Sequence, residues 1–241
     1  MDYLITFMLI SFLILIHELG HLIAAKLSHI PIELFSVGFG PKLWSFRLGQ
    51  TEYRISALPI AGYVLPRIKD PDDFFQIRSS KRIAFALGGP LANIILAVIC
   101  LGFLNALTMG FSFYVVLIFP FVQIAKITSQ FLYALPSVFS SPDKLSGVIG
   151  MVAMGGQMIA GDFLNILNLA IMLNINFAVL NLLPILPFDG GKILFCLLEK
   201  IHCSVIKLRL PLTVTGWVLL LGLLSYVTVL DMCKYVFKIY A

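Results

Sequence analysis

The sequence predicts an all-α polytopic membrane protein with four core transmembrane helices, a membrane-associated β-hairpin loop after the first helix, and re-entrant or extra helices in 108–162. Of the 241 residues, 60% are hydrophobic and only 12% are charged, against about 25% in soluble domains. The mean hydropathy is +1.00, and four apolar runs reach the roughly 20 residues that a span needs. A disordered chain, a nucleic-acid-binding module and an ordinary soluble enzyme are excluded, because a soluble domain could not cover so much apolar surface.

The four predicted spans are separated by loops of unequal charge. Nine of the 17 basic residues lie in 26–82 and four lie in 192–209, whereas 105–162 contains only two. Because loops rich in Lys and Arg stay in the cytoplasm, we expect 26–82 and 192–209 to be cytoplasmic and both termini to be outside. The spans are expected at 3–27, 83–107, 163–183 and 212–230.

This orientation requires an even number of crossings in 108–162. Residues 111–135 are apolar enough to cross, but Pro120 and Lys126 interrupt the run, and 145–160 is short and rich in glycine. We therefore expect surface or re-entrant helices here rather than two more spans. Residues 1–241 are expected to form one membrane-embedded domain.

The first cytoplasmic loop has a β pattern over about 38–66. Apolar and polar residues alternate over 44–48 and again over 53–57, and Gly49-Gln50 separates the two runs. Two runs of period two around a Gly-X pair predict a β-hairpin.

The first span contains His17-Glu18-Leu19-Gly20-His21, which matches the pattern H-E-x-x-H. Residues four apart share one face of a helix, so both imidazoles can bind one Zn²⁺ and Glu18 can act as a general base. A charged group at the centre of a span costs about 2.5–3.5 kcal/mol, and a metal would compensate that cost. The alternative is a helix end at the headgroups, with histidines that bind nothing.

A catalytic zinc usually takes three protein ligands, and Asp189 is the natural third. It follows Pro184 and Pro187 and precedes Gly190-Gly191, so the helix is broken here. Broken backbone at membrane depth is tolerated only where it is buried or lines a cavity. The alternative is a loop carboxylate that caps the next helix. Three other candidates are expected to be solvated interface residues: His29, Glu199 and His202.

Three amide side chains lie on the second and third predicted spans: Asn93, Asn176 and Asn181. Amides in membrane helices generally face the bundle, so hydrogen bonds between helices are the first interpretation. Near a metal they could instead hold a substrate backbone or stabilise an oxyanion.

Four blocks of sequence together resemble the site-2 protease family of intramembrane zinc metalloproteases, peptidase M50. The likeness is greatest to the bacterial regulator-of-sigma-E protease type. The blocks are His17 to His21, Gly38 to Val64, Lys81-Arg82 with Gly89 to Asn93, and Asn176 through Asn181 to Gly191. The resemblance implies that one Zn²⁺ per chain is bound by His17, His21 and Asp189, and that Glu18 activates the water. It further implies that Asn176 and Asn181 hold the substrate and that Gly62 borders the active-site entrance.

The chain departs from that family pattern in two places. The second proline of the fourth block is shifted by one position, to Pro187. No PDZ domain, which this branch usually carries, fits between 107 and 145. External substrate selection is therefore expected to be missing or supplied by an accessory protein.

These features predict an intramembrane zinc metalloendopeptidase that cuts transmembrane segments near the cytoplasmic side of the bacterial inner membrane. Single-span proteins such as anti-sigma factors, or remnant signal peptides, fit the resemblance. The hairpin edge, with Tyr53 and Ile55, is expected to capture the unwound substrate by strand addition. The first alternative is a non-catalytic scaffold or transporter with a polar path, which predicts no stoichiometric zinc. The second is another type of membrane metalloprotease with a Glu ligand, for which Glu199 is poorly placed.

Overall fold

The computed structural model describes residues 1–68, 73–140, 146–201 and 205–237. The chain divides into two compact units. The first unit contains Met1–Leu9, Leu96–Asn176 and Val214–Ala241, and the second contains Ile10–Ile95 and Phe177–Thr213. A single membrane-embedded domain over 1–241 stays a prediction.

Helices account for most of the described chain, as the composition predicts. They are α1 Asp2–Leu27, α2 Asp73–Gln76, α3 Ser79–Met109, α4 Phe119–Ser140, α5 Val148–Ile159, α6 Phe163–Leu182, α7 Asp189–Ile201 and α8 Val205–Asp231. Short π-helical segments, Tyr114–Ile118 and Met232–Val236, precede α4 and follow α8. This is the polytopic all-α membrane architecture that the sequence predicts.

Five helical segments in the described chain are long and apolar enough to cross a membrane. Four of them contain or closely match the predicted spans: Asp2–Leu27, Ser79–Met109, Phe163–Leu182 and Leu210–Val236. The fifth, Tyr114–Ala134, is 21 residues long with a mean hydropathy of 1.7. This agrees with the apolar character that the sequence gives to 111–135, and the interrupting polar residues do not break the helix. Whether the segment crosses the membrane or lies at its surface stays a prediction. The α5 helix has only 12 residues.

The β-hairpin forms where the alternation predicts it. Strands β1 (Ile32–Leu48) and β2 (Thr51–Pro66) pair in one antiparallel sheet, and Gly49-Gln50 forms the turn. Both strands are longer than the predicted runs. Leu48 pairs with Thr51 across the turn, so the predicted hairpin is confirmed.

One segment of β1 pairs with two segments of β2. Residues 34–37 pair with 62–65 and also with 52–55, while 52–55 pairs in addition with 44–47. Within the described chain, 52–55 is therefore internal to the sheet and 62–65 lies at an edge. The alternation of residues near the turn could not predict this second pairing, because it joins segments distant in sequence.

The second unit has a core cluster around the C-terminal half of α1. Its core cluster joins α1, β1 and α3 through six buried side chains: Leu22, Ala25, Ile30, Ile32, Phe35 and Phe85. The α1 and α3 helices also touch at two glycines, since a Cβ on Gly20 would lie 2.6 Å from the Cβ of Ala92 and against the carbonyl of Gly88. Small residues allow such close approach of membrane helices, and this crossing brings the motif of α1 against α3.

The first unit is joined by polar contacts between its helices. The Asp231 carboxylate at the end of α8 accepts the backbone N–H groups of Gly147 and Gly150, each at 2.8 Å, at the start of α5. Asn105 of α3 donates to the side-chain oxygen of Gln123 of α4 at 2.7 Å. Both Asp231 and Asn105 are 2% exposed. The bonds of Asp231 are buried and that between Asn105 and Gln123 is partly buried.

Candidate metal centre

Three side chains of the second unit converge on one point. The Nε2 atoms of His17 and His21 are 3.2 Å apart, and they lie 3.2 Å and 3.1 Å from Oδ2 of Asp189. The residues are 8%, 6% and 3% exposed, respectively. The geometry therefore presents two imidazole nitrogens and one carboxylate oxygen as a group that could hold a metal ion.

This donor set fits a zinc ion. Nitrogen and oxygen ligands bind Zn²⁺ at about 2.0–2.2 Å, which places the donors of a tetrahedral site about 3.3–3.6 Å apart. The three donor atoms here are already within 3.2 Å of one another. A slight expansion would therefore accommodate the ion, and three protein ligands leave a fourth position open.

The ring of His21 is oriented by the backbone of α3. Its Nδ1 lies 2.8 Å from the carbonyl oxygen of Phe85, and the N–H of Gly89 lies 3.3 Å from the same nitrogen. A carbonyl oxygen can only accept, so the shorter contact assigns the proton to Nδ1. The lone pair of Nε2 is then free to bind a metal.

The ring of His17 has an amide neighbour. Nδ1 of His17 lies 3.4 Å from the side-chain nitrogen of Asn93, while Oδ1 of Asn93 has no partner within the described chain. Rotating the amide by 180° places its oxygen on the Nδ1–H of His17, the arrangement typical of a metal-binding histidine. Asn93 is 0% exposed, and its predicted contact with substrate stays a prediction.

The second oxygen of Asp189 is also occupied. Lys192, one turn later on α7, donates to Oδ1 at 2.8 Å. This contact with an ammonium group stabilises the ionised form of Asp189. Its other oxygen, Oδ2, is directed at the two imidazoles.

The local sequence explains why Asp189 reaches this position. The α6 helix ends at Leu182, and Pro184 and Pro187 lie in the turn before α7. A Cβ on Gly191 would lie 2.6 Å from the carbonyl oxygen of Ile185. The glycine after Asp189-Gly190 therefore lets the first turn of α7 pack directly on the preceding backbone.

Glu18, which follows His17 in the sequence, lines a cavity. The cavity has a volume of about 200 Å³ and lies between α1 and the hairpin. Its wall is mostly apolar and includes Phe12, Leu15, Val37 and Gly62. A Cβ on Gly62 would lie 2.8 Å from Cγ of Glu18, so the hairpin touches Glu18 directly. That Gly62 borders an active-site entrance stays a prediction.

The remaining predicted site residues have different surroundings. Asn181 is half-buried and donates to the carbonyl of Phe177 on its own helix at 3.0 Å. Asn176 is half-buried on α6 in the first unit. Their contact with substrate stays a prediction. Tyr53 and Ile55 belong to the internal segment of the sheet, where both neighbouring segments already pair with them, so they do not form a free edge.

The rejected candidates for the third ligand also have clear outcomes. His29 is exposed, in agreement with an interface residue. Glu199 is not a surface charge, because its side chain is 14% exposed and pairs with Arg82 at 2.8 Å. His202 lies outside the described residues.

Sequence reasoning missed Gly89 and the carbonyl of Phe85. A Cβ on Gly89 would lie 2.5 Å from Nε2 of both His17 and His21, so this position must remain without a side chain. The pair Gly88-Gly89 inside a helix was the available signal. A backbone carbonyl leaves no signal of its own.

The family-level comparison covers nearly the whole chain. The model of peptidase family M50 matches residues 5–225, and the chain therefore belongs to peptidase family M50. This membership, with the donor set above, identifies Zn²⁺ as the metal.

Bacterial relatives agree with this assignment. Three proteins that carry the provisional name zinc metalloprotease are 42% identical over 112 residues (Chlamydia trachomatis), 44% over 92 (Clostridium acetobutylicum) and 40% over 108 (Campylobacter jejuni). These matches cover 39%, 36% and 40% of this chain and 18%, 27% and 29% of the relatives. The aligned part of the chain thus spans less than a third of each relative.

Proposed function

We propose that this chain is an intramembrane zinc metalloendopeptidase that hydrolyses peptide bonds within or near transmembrane segments of membrane proteins. The observation that carries the proposal is the convergence of three donor atoms within 3.2 Å, from His17, His21 and Asp189. The two histidines lie on α1, which is apolar enough to span a membrane. Glu18, next in sequence to His17, lines the cavity between α1 and the hairpin. A buried metal group beside a general base inside a span serves chemistry on substrates that are themselves in the membrane.

The chain's own residues divide the chemical work. His17, His21 and Asp189 hold the zinc, which when bound supplies a Lewis acid and lowers the pKa of water towards ~7. The Glu18 carboxylate takes a proton from the attacking water and later gives it to the leaving amine nitrogen. Phe85 and Asn93 keep the two imidazole rings in the tautomer and orientation that direct Nε2 at the metal.

The hairpin offers a surface for an extended substrate. A helix hides its peptide bonds, so the substrate must unwind before cleavage. The edge segment 62–65 can add such a strand, and its first residue, Gly62, touches Glu18. This assigns substrate capture to 62–65 rather than to Tyr53 and Ile55. A proline at either of those internal positions would break the sheet itself and would not report on capture.

The charge pattern supports a location and an orientation. Nine of the 17 basic residues lie in 26–82, the loop that contains the hairpin, so we place this loop and the adjoining metal group on the cytoplasmic side. The membrane is then the bacterial cytoplasmic membrane. By family resemblance the substrates are single-span proteins such as anti-sigma factors, or remnant signal peptides. An accessory protein would select the substrates in place of a PDZ domain.

Metal content and cleavage, measured on the same samples, test the proposal. The wild type, Glu18→Gln and the control Glu33→Gln, an exposed carboxylate on β1, are purified in detergent and assayed for zinc. Each is incubated with a panel of single-span membrane peptides. We expect one zinc per chain in all three proteins and cleavage by all but Glu18→Gln. No zinc in any of them would reject the enzyme and favour a scaffold, and equal cleavage by Glu18→Gln would reject the general base.

A further inference from the structure

A buried ion pair joins α3 to α7 away from the metal ligands. Nη2 of Arg82 lies 2.8 Å from Oε2 of Glu199, and the two side chains are 3% and 14% exposed. Surface pairs of this kind contribute little, and a buried pair is often no more stabilising than apolar residues of the same size. We therefore look for the role of this buried pair in the positioning of α7 on α3 rather than in stability.

The guanidinium of Arg82 is held in place by its own segment. Its Nε donates to the carbonyl of Ile77 at 3.0 Å, its Nη2 lies 3.4 Å from Oγ of Ser79, and its Cζ lies 5.2 Å from the ring centre of Phe75. Beside these contacts, an N–H of Nη2 at the edge of the planar group donates to Glu199. Arg82 thus offers α7 a fixed point rather than a mobile charge.

Both partners stand on helices that build the metal centre. Arg82 lies one turn before Phe85 of α3, whose carbonyl orients His21, and Gly89 follows one turn later. Glu199 lies ten residues after Asp189 on the continuous α7 helix, a distance of about 15 Å along the axis. The ion pair therefore fixes the far end of the helix whose first residue meets the two imidazoles.

A helix held only at its first turn can change its tilt. The N-terminus of α7 packs on the turn before it through Gly191, and Asp189 contacts His17 and His21 there. A second attachment about 15 Å away fixes the direction of the axis, and with it the direction of the Asp189 carboxylate. Phe195 and Cys196 are buried between the two ends and add apolar contact without the directionality of an Arg–carboxylate pair.

We infer that Arg82 and Glu199 are positioning residues for the zinc site, which set the tilt of α7 on α3 so that Oδ2 of Asp189 meets His17 and His21. This inference rests on the proposed metal ligands. It gives two distant charges a role in metal affinity although neither touches the metal group.

The test uses Glu199→Gln in the full chain in detergent, with Glu33→Gln as the matched exposed control. Zinc affinity is measured by chelator competition, and the visible spectrum of the Co²⁺-loaded protein reports the ligand geometry. Melting temperatures are recorded with and without zinc. We expect a zinc dissociation constant about 10–100 times higher in Glu199→Gln, the range for outer partners of metal ligands. The Co²⁺ spectrum should shift, and the zinc-induced rise in melting temperature should shrink.

Two further variants keep the test decisive. Arg82→Lys preserves the charge but loses the planar fork, and should lie between wild type and Glu199→Gln in zinc affinity. The exchange Arg82→Glu with Glu199→Arg should recover part of the affinity. Either one can be measured if Glu199→Gln does not fold.

The inference is overturned if Glu199→Gln and Arg82→Lys bind zinc as tightly as Glu33→Gln with the same Co²⁺ spectrum. It is also overturned if Glu199→Gln lowers the melting temperature by the same amount in the metal-free and the zinc-loaded protein. The ion pair would then stabilise the fold without acting on the zinc site. Asp189→Ala separates this from failure of the proposed function. Wild-type zinc affinity in Asp189→Ala would reject the ligand set itself.

Discussion

His21 donates its Nδ1–H to the carbonyl oxygen of Phe85 at 2.8 Å, and this bond connects the α1 motif to the backbone of α3. It selects the tautomer in which Nε2 has a lone pair, so the imidazole can bind a metal without first losing a proton. Because the acceptor is a backbone atom of a helix, the ring orientation depends on how closely α3 approaches α1. That approach in turn depends on glycines at the contact.

Gly89→Ala tests this dependence directly. The new Cβ would lie 2.5 Å from Nε2 of both His17 and His21, so at least one imidazole must move. We expect zinc affinity to fall by a factor of about 10–100 or more, measured by chelator competition, and cleavage to fall with it. Gly222→Ala on α8 is the matched control, because its Cβ meets no described atom within 4 Å. Equal zinc affinity in the two variants would contradict the close contact.

Asn93 gives a second prediction at the other imidazole. Asn93→Leu removes the polar neighbour of His17 while keeping a similar volume, so zinc affinity should fall by about 10–100-fold. Asn93→Asp keeps an oxygen acceptor for the Nδ1–H and should bind zinc much more tightly than Asn93→Leu. If the Asp variant is instead the weaker binder, the amide NH₂ donates to His17 and the proposed amide orientation is wrong.

The three converging side chains could be predicted from the sequence because each has a local signature. His17 and His21 follow the helical period within an apolar run, and Asp189 is marked by two prolines and two glycines. The surrounding contacts were not predictable, since they join distant segments. Glu199 has the sequence context of a surface charge, and only the packing of α7 on α3 buries it beside Arg82. Likewise, the alternation around Tyr53 predicts the hairpin but not the return of 34–37 to its other side.

Gly62→Ala should separate catalysis from metal binding. Its Cβ would lie 2.8 Å from Cγ of Glu18 and 3.0 Å from the carbonyl oxygen of Ser36, so the general base must shift while the three metal ligands need not. Positioned proton transfer contributes about 10²–10⁴-fold to a rate. We expect Gly62→Ala to cleave a membrane peptide at least tenfold more slowly than the wild type. Its zinc content should equal that of the wild type. A parallel loss of zinc and cleavage would show instead that the hairpin supports the metal ligands.

Asp231 leads to a prediction about stability alone. Its Oδ2 accepts two backbone N–H groups at the start of α5, from Gly147 and Gly150. The N-cap residue of α5 is Gly147, which makes no side-chain capping bond of its own. Asp231→Ala leaves buried donors unpaired, a cost of about 1–3 kcal/mol for each. We expect a lower melting temperature in detergent and earlier proteolysis around α5. Zinc affinity should be unchanged, because these contacts lie within the first unit and the metal ligands in the second.

Two companion variants make the Asp231 prediction specific. Gly150→Ala places a Cβ 2.6 Å from Oδ1 of Asp231 and should lower the melting temperature in the same direction. Thr228→Ala, an exposed position on the same helix whose hydroxyl bonds to the carbonyl of Leu224, should have little effect. If Asp231→Ala has the same melting temperature as Thr228→Ala, the Asp231 carboxylate does not stabilise α5. If it also loses zinc, the two units are coupled, and the stability of α5 contributes to the metal centre.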